Sequence, residues 1–423
     1  RASREHKRGT LAACQSATLA ATLAAPEVVA GLLAEPLGFE AHDRAVDAAR
    51  GAAGASDVDD DDALLEAAGA VALLSALGGA DPEAILPHLP TIVHFGVLHF
   101  ASPTRFGAGA HSLSSDFSER DRIPRLLHTL VLNLQPKFLA AETRRGGGGG
   151  GGHQLEEEEQ GKGQSSSSST ASRVNSLLAI LRCGIDSHFL ELDWSRPVAA
   201  LADPTLLCGS KSSSRDSDDS VLSAETWVGA VPPLKVAAAG GGLAHPVALV
   251  RALQKVLGDV GGPDDESSAT TTTRAWGAQA LRWALESRDF PTRLKAYVVY
   301  LTLGAPGVVA ALPRLAREVA TLHAEFSDRS NASSTGVAST AAWQAASCCC
   351  ALLRVVGAAL FSPELDQSSK NPRAACVFWI ADAALRTRCA DEVRCRLYRY
   401  GVALLRAYAA AVLADNDPNS RPP

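Results

Sequence analysis

The chain has 423 residues, 46% hydrophobic, 20% charged and only 5% aromatic, a balance that excludes a wholly disordered polymer and leaves room for more than one folding unit. Its formal charge of -6 provides no basic field for nucleic acid or an anionic membrane surface. No apolar run reaches the ~18–20 residues that a membrane span needs, so no integral span is expected. Nine cysteines without a CxxC pair read as reduced thiols, for which the predicted setting is cytoplasmic. There is no methionine and the chain opens on Arg1, which reads as a fragment of a larger protein.

Residues 1–141 are predicted as N-terminal helical repeats. The Ala/Leu-rich stretch 11–34 is broken by Cys14, Gln15, Ser16, Pro26 and Glu27 and reads as short helices rather than a signal peptide. Residues 57–62 are predicted to form an acidic turn. Residues 142–171 are predicted as a disordered linker, because glycines 146–152, glutamates 156–159 and serines 165–169 cannot bury enough surface to fold. Central helical repeats are predicted over 172–326, with polar insertions near 210–220 and 261–273. A polar loop over 327–340, C-terminal helices over 341–413 and a disordered tail over 414–423 complete the organisation. Period-2 stretches are absent and Ala and Leu dominate, so the predicted class is all-α.

The helical patterning is clearest between residues 274 and 326. Gln279, Arg282 and Glu286 form one narrow polar face, leaving Trp276, Ala280, Leu281, Trp283, Ala284 and Leu285 to be buried. Asp289 and Pro291 provide a cap and a helix start. Leu294, Tyr297, Val298 and Leu301 then recur at helical spacing, which places Arg293 and Lys295 on the outer face. After the turn at 304–307, Val308, Leu312, Leu315, Val319, Leu322 and Phe326 keep a helical rhythm, with Pro313 expected to kink or restart the helix. The predicted core is Trp276, Trp283, Leu294, Tyr297 and Leu301. Short turns between such helices suggest stacked hairpins, the HEAT/armadillo-like α-solenoid; one irregular bundle is the alternative.

Motifs for chemistry are scarce. His88, His94 and His99 are separated by six and five residues, which turns them by about 240° and 140° on a helix and onto different faces. No HExxH or GxSxG occurs, and Gly161-Lys162-Gly163 lacks the hydroxyl residue and the spacing of a phosphate loop. Consecutive Cys348, Cys349 and Cys350 cannot share one metal, and Cys376, Cys389 and Cys395 fit no zinc spacing. The expectation is therefore a non-enzyme without cofactor or metal. Arg386, Arg388, Arg394, Arg396, Arg399 and Arg406 stand out near the C-terminus as a candidate partner-docking surface, since arginine forks pair well with carboxylate or phosphate. A solubilising face is the plainer reading of the same arginines.

The run from Ala275 through Trp276, Gly277, Ala280, Leu281, Trp283 and Ala284 to Glu286 resembles a segment in the C-terminal region of the Furry-like cell morphogenesis proteins. The following Arg293-started segment, with Tyr300 and Leu303, occupies the place of that family's next helix. Ile85 to Pro90, the Leu-rich 126–134, and 176–181 followed by Asp193-Trp194 are similar to further family blocks in the same order. The resemblance implies a HEAT/armadillo-like scaffold without catalytic residues. It also implies work with NDR-type kinases and Mob coactivators in cell polarity, at the cell cortex and cytoskeleton. A divergent helical enzyme, or an enzyme-accessory subunit, is the alternative. A deep polar pocket around His88, His94 and His99 would favour it.

Overall fold

The computed structural model describes residues 35–44, 82–100, 122–147, 192–201, 246–258, 266–332 and 340–360, with isolated positions at 25, 27, 31, 70, 74, 77, 174–175, 177–179 and 181–182. All regular structure among the described residues is helical. After a 3-10 turn at Glu35–Leu37 come α1 (Pro82–Ile85), a second 3-10 turn (Leu86–His88), α2 (Leu89–Leu98), α3 (Arg122–Gly147) and α4 (Ser195–Leu201). They are followed by α5 (Pro246–Gly258), α6 (Glu266–Glu286), α7 (Phe290–Thr302), α8 (Val308–Ala332) and α9 (Thr340–Leu360). Three helices extend into segments predicted to be irregular. α3 continues to Gly147, α6 starts at Glu266 inside the polar 261–273 segment, and α8 runs to Ala332 through the start of the 327–340 loop. Once a helix is nucleated, each added polar residue costs only about half a kcal/mol against Ala, so propagation overrides composition there.

The packing divides into two units, Arg1–Leu192 with Leu234–Trp276, and Asp193–Pro233 with Gly277–Pro423. In the first, α2 packs against α3, α5 and the Glu35–Leu37 turn. Pro90 starts α2 in its first turn, where a missing N–H costs nothing. Ile92, Val93, Phe95, Val97 and Leu98 are then buried together with His94, so this helix is enclosed on nearly every side. Leu126, Leu127, Leu130 and Leu134 supply the facing stripe of α3.

In the second unit, α9 lies against both α7 and α8, and α4 packs on α7 and α9. Asp289 caps α7: its side chain accepts from the Thr292 N–H at 3.2 Å and from the Thr292 hydroxyl at 2.6 Å, with Pro291 in the first turn. The other end of α7 closes with paired bonds from Ala305 N–H to Tyr300 O and from Gly304 N–H to Leu301 O, both 3.0 Å. Gly304 takes the left-handed position that this closure requires, at φ 84°. The Tyr300 hydroxyl donates to the Pro306 carbonyl at 3.1 Å, fixing the turn into α8. Pro313 lies inside α8, which continues past it.

Trp283, Leu294, Tyr297 and Leu301 are buried in this second unit, and Trp276 is buried in the first. Arg293 departs from the sequence reading. Instead of standing on the outer face of α7 it is 5% exposed, while Lys295 is half-buried with its ammonium 5.8 Å from the Trp194 ring centre.

Candidate functional site

The most elaborate polar constellation described is built around Arg293. α6 ends at Glu286, so the Ala284 carbonyl is among the last four, which find no partner within the helix. The Arg293 Nε donates to that carbonyl at 2.8 Å, putting a cation at the negative end of α6. Its Nη2 donates to a Glu318 carboxylate oxygen on α8, and the guanidinium lies 5.8 Å from the Phe290 ring centre. One side chain of α7 therefore ties α6 to α8. Burial disfavours the cation, but the neighbouring Tyr297, Cys348 and Glu318 outweigh this and hold the guanidinium above its ordinary range. Burial pushes the Tyr297 hydroxyl well above the phenol range, against the pull of Arg293 beside it.

Cys348 closes the same cluster from α9. Its thiol donates to the Phe290 carbonyl at 3.7 Å and, chiefly through burial, is pushed up to about 12. A thiol so held stays protonated near neutrality and makes a poor nucleophile. Cys349 and Cys350 are also buried, which fits small packing residues better than a site for acylation. Nearer the surface, Glu286 receives Nε of Arg282 at 3.1 Å and Nη2 of Arg314, a second link from α6 to α8.

His88, His94 and His99 do not converge. His88 stands half-exposed at the N-cap of α2 and His99 at its C-cap, so the whole helix, about 15 Å, lies between them. His94, midway, is fully buried, and burial pushes its imidazole down to about 3. Among the described residues no group of three or more His, Cys, Asp or Glu side chains is arranged to hold a metal ion. No described helix is long and apolar enough to cross a membrane.

The chain matches no family model, no curated protein and no solved structure.

Of the residues singled out from the sequence, the structure brings Leu294, Tyr297 and Leu301 together on α7, with Trp283 on α6 in the same unit. Trp276 belongs to the other unit. Arg386, Arg388, Arg394, Arg396, Arg399 and Arg406 lie outside the described residues, as do Cys376, Cys389 and Cys395 and most of the 142–171 linker. Arg293 was read as solvent-facing and Glu318 was not singled out, although their spacing carried a signal. Arg293, Tyr297 and Tyr300 fall at i, i+4 and i+7 on one face of α7, and Glu318 sits within the apolar stripe Leu315, Val319 and Leu322.

Proposed function

We propose that this chain is a non-enzymatic scaffold segment whose helices stack in the HEAT/armadillo manner, as in Furry-like cell morphogenesis proteins. The observation that carries the reading is the burial of α7, in which eleven of thirteen residues are enclosed. A helix buried all round needs neighbours on both sides, which is the situation of an inner helix in stacked layers. Asp289, Arg293 and Glu318, the polar groups that accompany it, serve helix ends and each other. The family resemblance of the segment from Ala275 to Glu286 extends the reading to reversible binding of an NDR-type kinase with its Mob coactivator, at the cell cortex and cytoskeleton.

On this reading the arginines from Arg386 to Arg406 form the docking surface for an acidic or phosphorylated partner. The test is co-precipitation from native extract with the parent and with an Arg394→Glu/Arg399→Glu double variant, at two salt concentrations. The kinase and coactivator are expected with the parent, with weaker and less salt-sensitive capture by the variant. Capture of neither protein by the parent would sink the scaffold assignment. Equal capture by parent and variant would sink only the arginine site.

A further inference from the structure

The first unit carries a group of imidazoles in its core that the scaffold reading does not use. His94 is fully buried in the middle of α2, His99 is buried at its C-cap, and His42 is buried in the helical turn 39–44. The His99 ring joins two elements, its centre lying 4.9 Å from that of His42 and 4.5 Å from that of Phe95. α2 packs on the Glu35–Leu37 turn, α3 and α5, and has no ionisable side chain of its own besides His94. Residues that gain charge just below neutral pH are thus enclosed where the N-terminal segment meets the central helix of the unit.

We propose that buried His94 and the His42–His99 pair form an acid-sensitive latch: below about pH 6.5 protons bind preferentially to a minor open form in which α2 is released from the 35–44 segment, so its population grows while α7–α9 stay folded. A neutral imidazole packs as a flat ring, but an imidazolium must keep its solvation, which the core denies it. His42 and His99 cannot both be charged at ring contact without strong repulsion in so dry a place. The open form exposes the rings and binds protons more tightly than the closed form. Stability of the closed form therefore falls as pH falls, and the minor open population grows. The depression of His94 to about 3 has the sign this requires.

The other ionisable groups described on elements packed against α2 set the balance. Glu35, Glu40, Arg44, Arg125 and Lys255 are exposed, and His88, His128 and Arg251 are half-buried. Asp43 is buried and is the chain neighbour of His42, so its carboxylate favours the cation there and opposes opening. The response accordingly rests on His94 and His99.

Hydrogen–deuterium exchange of the full chain at pH 7.5, 6.5 and 5.5, corrected for intrinsic rates, tests the latch. Protection of peptides from 89–98 should fall about fivefold per imidazole between pH 6.5 and 5.5, while that of 290–302 changes by less than about threefold. His94→Leu and His99→Phe should each remove about one such fivefold share. Exchange at the histidine C2 position in the parent reads the titration without any substitution, and His94 should titrate below pH 5. Flat protection of 89–98, equal loss in both regions, or a His94 midpoint near the ordinary ~6.5 would each overturn the proposal. The measurements on the parent decide it even where a variant fails to fold.

Discussion

The guanidinium of Arg293 and the carboxylate of Glu318 form a buried pair between α7 and α8, with side chains only 6% and 18% exposed. Such a pair offsets the desolvation of both charges while it is intact, and removing one partner strands the other. Glu318→Ala should therefore destabilise by about 3–5 kcal/mol, far more than loss of an exposed salt bridge. Replacing both, as Arg293→Met with Glu318→Leu, should recover most of that loss, since apolar replacements of buried pairs are often neutral. Urea denaturation of the single and double variants checks this. A loss below about 1 kcal/mol for Glu318→Ala would place the pair in solvent.

Trp283 is fully enclosed in the second unit. Trp283→Ala should cost about 3–5 kcal/mol and lower the thermal midpoint measured by circular dichroism. In stacked helices the damage should spread to neighbours, appearing as faster amide exchange in 290–302 and 340–360. An unchanged melt would contradict the burial.

Capping of α7 rests on Asp289, which takes both the amide and the hydroxyl of Thr292. Asp289→Ala should cost about 1–2 kcal/mol, and Asp289→Asn or Asp289→Ser less, because either still offers an acceptor. Chemical denaturation of the three variants gives the ranking, and equal losses would rule out a capping role.

The Cys348 thiol yields a prediction at alkaline pH. Its value rises from 9.0 to about 12 in the fold, so above pH 9 the unfolded chain gives up this proton while the folded chain keeps it. The unfolded state then binds fewer protons, and stability falls as pH climbs from about 9 towards 12. Cys348→Ala should flatten this decline in urea titrations at pH 8 and 10. A maleimide should label Cys348, Cys349 and Cys350 slowly in the native chain and fast in urea, and fast native labelling would contradict their burial.

Helical class, the Asp289 cap and the turn after α7 were legible because each depends on local chemistry: periodicity, a short acceptor side chain, a glycine at a left-handed position. Helix ends at Gly147, Glu266 and Ala332 were not, since propagation into polar sequence depends on what the helix already packs against. Arg293 was misplaced for a related reason. Residue type argued for solvent, and what makes its burial tolerable, the Ala284 carbonyl and the Glu318 carboxylate 25 residues later, comes from other helices. His42 and His99 likewise meet across a separation in sequence that no periodicity records.

The turn that closes α7 also makes a demand on α6. A Cβ at Gly277 would fall 2.3 Å from the Pro306 Cγ, so position 277 has no room for a side chain while that ring stays where it is. Gly277→Ala should cost about 1–3 kcal/mol as an overpacked contact, and Pro306→Ala in the same molecule should restore much of it, as read in a denaturation cycle. The two positions thus constrain each other: a side chain at 277 sits without strain only where the ring at 306 is gone.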